Sequence, residues 1–147
     1  MEIDKQKILI YLLIIAMIAA LGVLGYLVAI PKTGDKFSEY YILNAEGKAK
    51  DYPYQVVLGK PIDITIGIIN HEYEAMCYQV DVTIDNTKNT EISVGELAHK
   101  ERWQEVVSFT PDKTGDGQKV DFWLYKNGEN SPYFKDPLYL FIDVIKP

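Results

Sequence analysis

Residues 8–30 read ILIYLLIIAMIAALGVLGYLVAI, an apolar run without one charged side chain. About 20 apolar residues in a helix span the hydrocarbon core of a bilayer, so the run predicts one transmembrane helix. Past residue 36 the period drops to two. Ile62-Asp63-Ile64-Thr65-Ile66-Gly67-Ile68-Ile69 alternates a β-branched face with a smaller or polar one. Tyr78-Gln79-Val80-Asp81-Val82-Thr83-Ile84-Asp85 repeats the device, with Val80, Val82 and Ile84 expected inward and Asp81, Thr83 and Asp85 outward.

Further strands are expected at Phe37-Ser38-Glu39-Tyr40-Tyr41-Ile42, Gln55-Val56-Val57-Leu58, a short Glu91-Ile92-Ser93-Val94, and Val106-Val107-Ser108-Phe109. Val120-Asp121-Phe122-Trp123-Leu124-Tyr125 and Leu138-Tyr139-Leu140-Phe141-Ile142-Asp143-Val144 complete a set of seven or eight. Turn residues punctuate them: Leu58-Gly59-Lys60-Pro61, Asn70-His71-Glu72-Tyr73, Asp85-Asn86-Thr87-Lys88, Asp116-Gly117 and Asn127-Gly128. Short, regularly spaced strands of this kind predict an all-β immunoglobulin-like sandwich of antiparallel strands. The chain therefore divides into an N-terminal tail (1–7), a transmembrane helix (8–30), a juxtamembrane linker (31–36) and a β-sandwich domain (37–147).

A cleaved secretory signal also starts with an apolar run, but its apolar core is about 7–15 residues long and ends at a small-residue cleavage site. Here the run is longer and ends Tyr26-Leu27-Val28-Ala29-Ile30-Pro31, with no small-x-small pair before the polar stretch. An uncleaved anchor stopped at Pro31 is expected, with a linker so short that the domain stays close to the bilayer. Lys5 and Lys7 on one side and Lys32 and Lys36 on the other nearly balance, so the positive-inside rule decides little. The domain is placed outside the cell, by analogy with other singly anchored β domains.

Composition narrows the partners. The net charge of −6 lies in residues 31–147, past the apolar run, which argues against nucleic acid and anionic lipid headgroups. Cys77 is the only cysteine, so no internal disulfide can form. At the start of a strand pattern it reads as a buried or half-buried structural thiol.

Several spaced strings are distinctive. They are Phe37-Ser38-Glu39-Tyr40-Tyr41-Ile42-Leu43, Glu46-Gly47-Lys48-Ala49, Asp51-Tyr52-Pro53, Gly67-Ile68-Ile69-Asn70-His71-Glu72, Phe109-Thr110-Pro111, and Gln118-Lys119-Val120-Asp121-Phe122-Trp123-Leu124-Tyr125-Lys126. Together they resemble the largely archaeal membrane-protein family called domain of unknown function 1616. Larger members look like several membrane helices followed by such a domain, whereas this chain carries only the last span and the domain. The resemblance implies fold and membrane location and brings no activity.

No nucleophile and base pair stands out, and no enzyme activity or cofactor is expected. Asn70, His71 and Glu72 form a candidate functional turn, an imidazole beside carboxylates on a connection expected to be exposed. A metal site needs three or four convergent ligands, and the only other histidine is His99. The segment Asp112-Lys113-Thr114-Gly115-Asp116-Gly117 lacks the spacing of a calcium loop. Aromatics are the clearer surplus. Alternation puts Trp123 and Tyr125 on the face opposite Phe122 and Leu124, and Tyr139 and Phe141 opposite Leu138, Leu140 and Ile142. If those strands pair, Trp123, Tyr125, Tyr139 and Phe141 make an outward aromatic strip, a candidate binding face. Against it stands burial of the strip under loops such as Ser131-Pro132-Tyr133-Phe134.

The expectation is a single-pass protein of the cell membrane, held in the lipid bilayer by residues 8–30. Its domain serves as a non-enzymatic binding or scaffolding module for a membrane or cell-envelope protein. Alternatives are an envelope polysaccharide-binding domain and a pilin-like filament subunit, the latter disfavoured by Pro31 and by the lack of Gly or Ala before Ile8. Oligomers are compatible with all three.

Overall fold

The computed structural model describes residues 4–29 and 34–147. Two separate units result, an N-terminal helical one and a β domain from Asp35 onward. Pro31 and Lys32, read above as helix stop and start of the linker, lie outside the described residues.

Helix α1 spans Lys5–Ala29. Asp4 caps its start: the carbonyl accepts from Lys7 N–H at 2.9 Å and the carboxylate from Gln6 N–H at 3.2 Å. Its 25 residues reach roughly 37 Å at 1.5 Å per residue. Among the described residues it is the one helix long and apolar enough to cross a membrane, a test that a signal sequence also passes.

The β domain runs β1 (Phe37–Leu43), β2 (Gln55–Val57), β3 (Ile62–His71), β4 (Met76–Ile84), β5 (Thr87–Leu97), β6 (Arg102–Phe109), β7 (Gly115–Lys126) and β8 (Leu138–Ile145). One sheet has the order β1-β3-β6, the other β2-β8-β7-β4-β5. The sandwich expectation holds. All pairings are antiparallel except one: β2 runs parallel to β8, Gln55 level with Asp143 and Val57 with Ile145. The long connection 44–54 carries the chain from the edge of the first sheet to the edge of the second, and it arrives running in β8's direction.

The core follows the period-two reading. Ile62, Ile64, Ile66 and Ile68 of β3 face Val80, Val82 and Ile84 of β4 and Val120, Phe122 and Leu124 of β7, all buried. Register stacks Val80 on Leu124, Val82 on Phe122 and Ile84 on Val120, so the branched chains of neighbouring strands form continuous rows. Phe109 meets Phe122 edge-on at 5.8 Å.

Several turns differ from their sequence reading. The β4–β5 hairpin is tighter than expected: only Asp85 and Asn86 form its loop, both at positive φ (47° and 66°), as the mirror-image hairpin turn requires. β5 consequently runs for 11 residues instead of the short segment expected. Asp116-Gly117 is no turn. It sits inside β7 at a register shift between Gly115 and Gln118, with Gly117 at φ 61°. The shift is a bulge, which inserts extra residues on one strand without ending the pairing.

Candidate functional site

β7 and β8 pair directly, with Lys119 opposite Phe141 and Asp121 opposite Tyr139. Residues facing one another across an antiparallel pair share a face. Trp123, Tyr125, Tyr139 and Phe141 therefore all lie on the outer face of the five-stranded sheet. Register places Trp123 one residue and Tyr125 three residues beyond the last β7–β8 pair, so the strip runs diagonally across the two strands. Tyr139 and Phe141 are 55% and 56% exposed and meet edge-on at 5.6 Å. Trp123 is half-buried, its indole N–H donating to Thr83 Oγ1 at 3.3 Å.

The Ser131-Pro132-Tyr133-Phe134 loop does not cover this face. Tyr133 and Phe134 turn instead to the seam between the sheets, where Phe134 stacks on Tyr40 and the Tyr133 hydroxyl reaches Glu72 and Ser38.

Two polar groups sit among the aromatic rings that sequence reasoning did not single out. Lys119 Nζ lies 4.9 Å above the Tyr139 ring and 3.4 Å from Asp121 Oδ1. Asp121 is only 2% exposed although its strand position turns it outward. Alternation gives an outward direction for Asp121 but carries no information on the side chains that bury it. Next to the strip, the β4–β5 half of the face is polar. Lys88 pairs there with Glu91 at 2.7 Å and Asp81 at 3.6 Å. A groove of about 490 Å³ lies between these halves, lined by Cys77, Gln79, Asp81, Ser93, Tyr125 and Glu129 among others. Cys77 is exposed here, a correction to the buried or half-buried thiol expected from sequence. Met76 and Tyr78 take the inward positions on either side, and period two leaves Cys77 to solvent.

The candidate turn Asn70, His71, Glu72 is corrected in the same way. Asn70 and Glu72 are buried, not exposed. Asn70 ties the turn together: its amide donates to the carbonyls of Glu74 (2.7 Å) and Leu97 (2.8 Å), and its oxygen accepts from Glu72 N–H (2.8 Å). The Glu72 carboxyl accepts from Ser38 Oγ at 3.0 Å and Tyr133 OH at 2.7 Å. Because the Ser38 proton is committed to Glu72, the Tyr78 hydroxyl is the donor in its 2.6 Å contact with Ser38 Oγ. Burial, and then the bond to Glu72, raise the Tyr133 phenol above its ordinary pKa; burial does the same for Tyr78. This corner joins β1, β3, β4 and the 127–137 loop, which are brought together only by folding.

His71 goes the other way, half-buried and stacked on Phe37 at 4.6 Å, with Nε2 3.6 Å from Glu39. His99 stacks on Tyr73 and accepts its N–H at 3.1 Å. Among the described residues, no three side chains of His, Cys, Asp and Glu converge on a metal-sized site.

The fold and its surface define a β-sandwich domain of immunoglobulin-like architecture carried behind an apolar helix. The chain belongs to the family of domain of unknown function 1616, whose profile matches residues 31–140. Among solved structures, it is similar to the crystal structure of the CARDB domain of the PF1109 protein from Pyrococcus furiosus, in complex with di-metal ions. That likeness has a TM-score of 0.53 at 14% identity and covers 78% of this chain and 99% of that one. The solution NMR structure of the same domain gives a TM-score of 0.51 at 16% identity, covering 76% of this chain and 98% of the other. At such identities the likeness speaks for the fold alone. No curated protein matches the chain.

Proposed function

We propose that this protein is a non-enzymatic, membrane-anchored module that binds a membrane or cell-envelope protein through the outer face of its five-stranded sheet, with the β domain outside the cell. One observation carries the reading: Tyr139 and Phe141 stand more than half exposed beside Trp123 and Tyr125, on a face that the neighbouring loop leaves open. Large rigid rings lose little side-chain entropy on binding and serve as interface anchors. The apolar helix Lys5–Ala29 would confine that face to a membrane plane.

The test is capture of partners from native membranes by the full chain and by Trp123→Ala and Tyr139→Ala. Both substitutions are expected to weaken capture while the domain stays folded. Unchanged capture by both variants would remove the aromatic face from consideration.

A second reading has its own support. Lys119 and Asp121 set charged groups beside the Tyr139 ring, the combination of stacking surface and hydrogen-bonding groups that a sugar ring uses. Envelope polysaccharide is then the ligand, and a glycan array probed with the full chain in micelles separates the two readings.

A further inference from the structure

At one of the two seams between the sheets, β1 lies on one side and β8 with the short β2 on the other. Edge strands present unpaired N–H and C=O groups, which native proteins usually cover, charge or interrupt. The two edges at this seam are treated differently.

On β1 two of the outward backbone groups, at either end of the strand, are met by tyrosine hydroxyls. Ser38 N–H donates to the Tyr133 hydroxyl at 3.1 Å, and the Ile42 carbonyl accepts from the Tyr52 hydroxyl at 2.9 Å. On β8 the 138–141 half of the edge has no such partner among the described residues. Asp143 N–H donates to the Tyr54 carbonyl and Ile145 C=O accepts from Leu58 N–H, so odd-numbered residues of β8 turn their backbone groups toward β2. β2 pairs with β8 only from Asp143 to Ile145. Tyr139 and Phe141 point their N–H and C=O groups the same way, past Tyr54, and among the described residues no strand pairs with them on that side. The residues there, Pro137-Leu138-Tyr139-Leu140-Phe141-Ile142, include no charge. Alongside runs a groove of about 380 Å³ lined by Tyr40, Ile42, Tyr52, Leu138 and Leu140 among others.

We propose that the β8 edge at 138–141 accepts an extended peptide strand from a partner polypeptide, pairing main chain to main chain in line with β2. The four backbone groups of Tyr139 and Phe141 are spaced to bond the amides of an extended strand, a match that a sugar or a lipid tail does not offer. In an added strand, alternate side chains would turn into the groove and against Tyr139 and Phe141. Both surfaces are apolar, so the peptide that fits is a proline-free run of three or four aliphatic or aromatic residues. This deepens the binding reading above, because it gives the form of the partner's contact; it adds the strand edge to the ring face.

The probe is a phage-displayed library of random dodecapeptides, selected on the full chain in lipid nanodiscs, with enriched peptides then synthesised. Proline-free sequences with an apolar run are expected. Phe141→Pro removes one outward N–H and leaves the pairing with β7 intact, since edge positions tolerate proline. It should weaken peptide binding about fivefold or more, the effect of one or two lost hydrogen bonds. Tyr139→Lys and N-methylation of alternate peptide amides should do the same. In the peptide-free chain, the amides of Tyr139 and Phe141 should exchange with solvent at least about tenfold faster than those of Leu140 and Ile142. The proposal is overturned if no peptide is enriched, if Phe141→Pro and Tyr139→Lys bind peptide as well as the parent, or if the Tyr139 and Phe141 amides are already as protected as their neighbours. It is equally overturned if sedimentation shows a second copy of the chain pairing through this edge. Peptide binding that Phe141→Pro weakens, with membrane-partner capture untouched by Trp123→Ala and Tyr139→Ala, would count against the ring face alone.

Discussion

The tyrosines of this domain fall into two populations that sit a few residues apart in sequence and behave in opposite ways. At the corner, Tyr78 and Tyr133 turn inward and each hydroxyl has a specified partner, Ser38 for one and Glu72 with Ser38 for the other. On the strip, Tyr139 leaves its ring in solvent beside Phe141. The first group spends its polar atoms on joining β1, the β3–β4 turn and the 127–137 loop. The second holds its apolar surface in reserve. Abundance of an aromatic residue type thus says little about its work; the partner of the polar tip separates structural rings from available ones.

The contrast can be broken most sharply at Glu72. Glu72→Ala leaves the Ser38 and Tyr133 hydroxyls without their acceptor in a buried corner, a loss expected to cost about 2–4 kcal/mol. Urea unfolding of the full chain in micelles, followed by tryptophan fluorescence, measures it, and a midpoint equal to the parent's would refute the structural role of this corner. Tyr133→Phe removes one arm only and should cost about 1 kcal/mol by the same assay.

Alkaline titration sharpens the comparison from another side. Burial raises the phenol pKa of Tyr40, Tyr78 and Tyr133 in the folded domain. A raised folded value means that the folded state holds the proton more tightly than the unfolded one. The contribution is fully present below the ordinary phenol value of about 10 and is lost as pH rises above it. Stability should therefore be level from neutral pH to about 10 and then fall. Among the described residues, the enclosed Tyr40 hydroxyl has no hydrogen-bond partner. Tyr40→Phe should consequently flatten the alkaline loss while leaving the neutral-pH midpoint unchanged or higher; an unaltered alkaline slope would contradict this assignment.

The smallest effect is expected on the strip. Tyr139→Ala and Phe141→Ala remove exposed rings and should shift stability by no more than about 0.5 kcal/mol, whatever they do to binding. A loss above about 2 kcal/mol for either would move these rings into the structural population.

Much of this was legible in the chain, and the residues show where legibility stops. Alternation in Tyr78-Gln79-Val80-Asp81-Val82-Thr83-Ile84 assigned inward and outward sides correctly, and the burial of Val80, Val82 and Ile84 follows it. The common outward direction of Trp123, Tyr125, Tyr139 and Phe141 followed once β7 and β8 were taken to pair. Glu72 defeated the same reasoning. A polar residue in an Asn-led turn is ordinarily solvent-facing, and its burial depends on Ser38 and Tyr133, which are 34 and 61 residues away. Cys77 and Asp121 failed for related reasons: one is released to solvent and the other covered by neighbours on adjacent strands.

By itself the sequence determined an apolar helix of membrane-spanning length and a β domain with known inward faces, because both depend on local periodicity. Only the tertiary structure decided that β2 joins β8 in parallel and begins level with Asp143, that tyrosine hydroxyls meet both ends of the β1 edge, and that among the described residues no strand pairs with β8 at Tyr139 and Phe141. The physical reason is that period two reports which side of a strand faces the core, perpendicular to the sheet. Hydrogen bonding runs within the sheet, and its partners are set by strand order and by contacts distant in the chain.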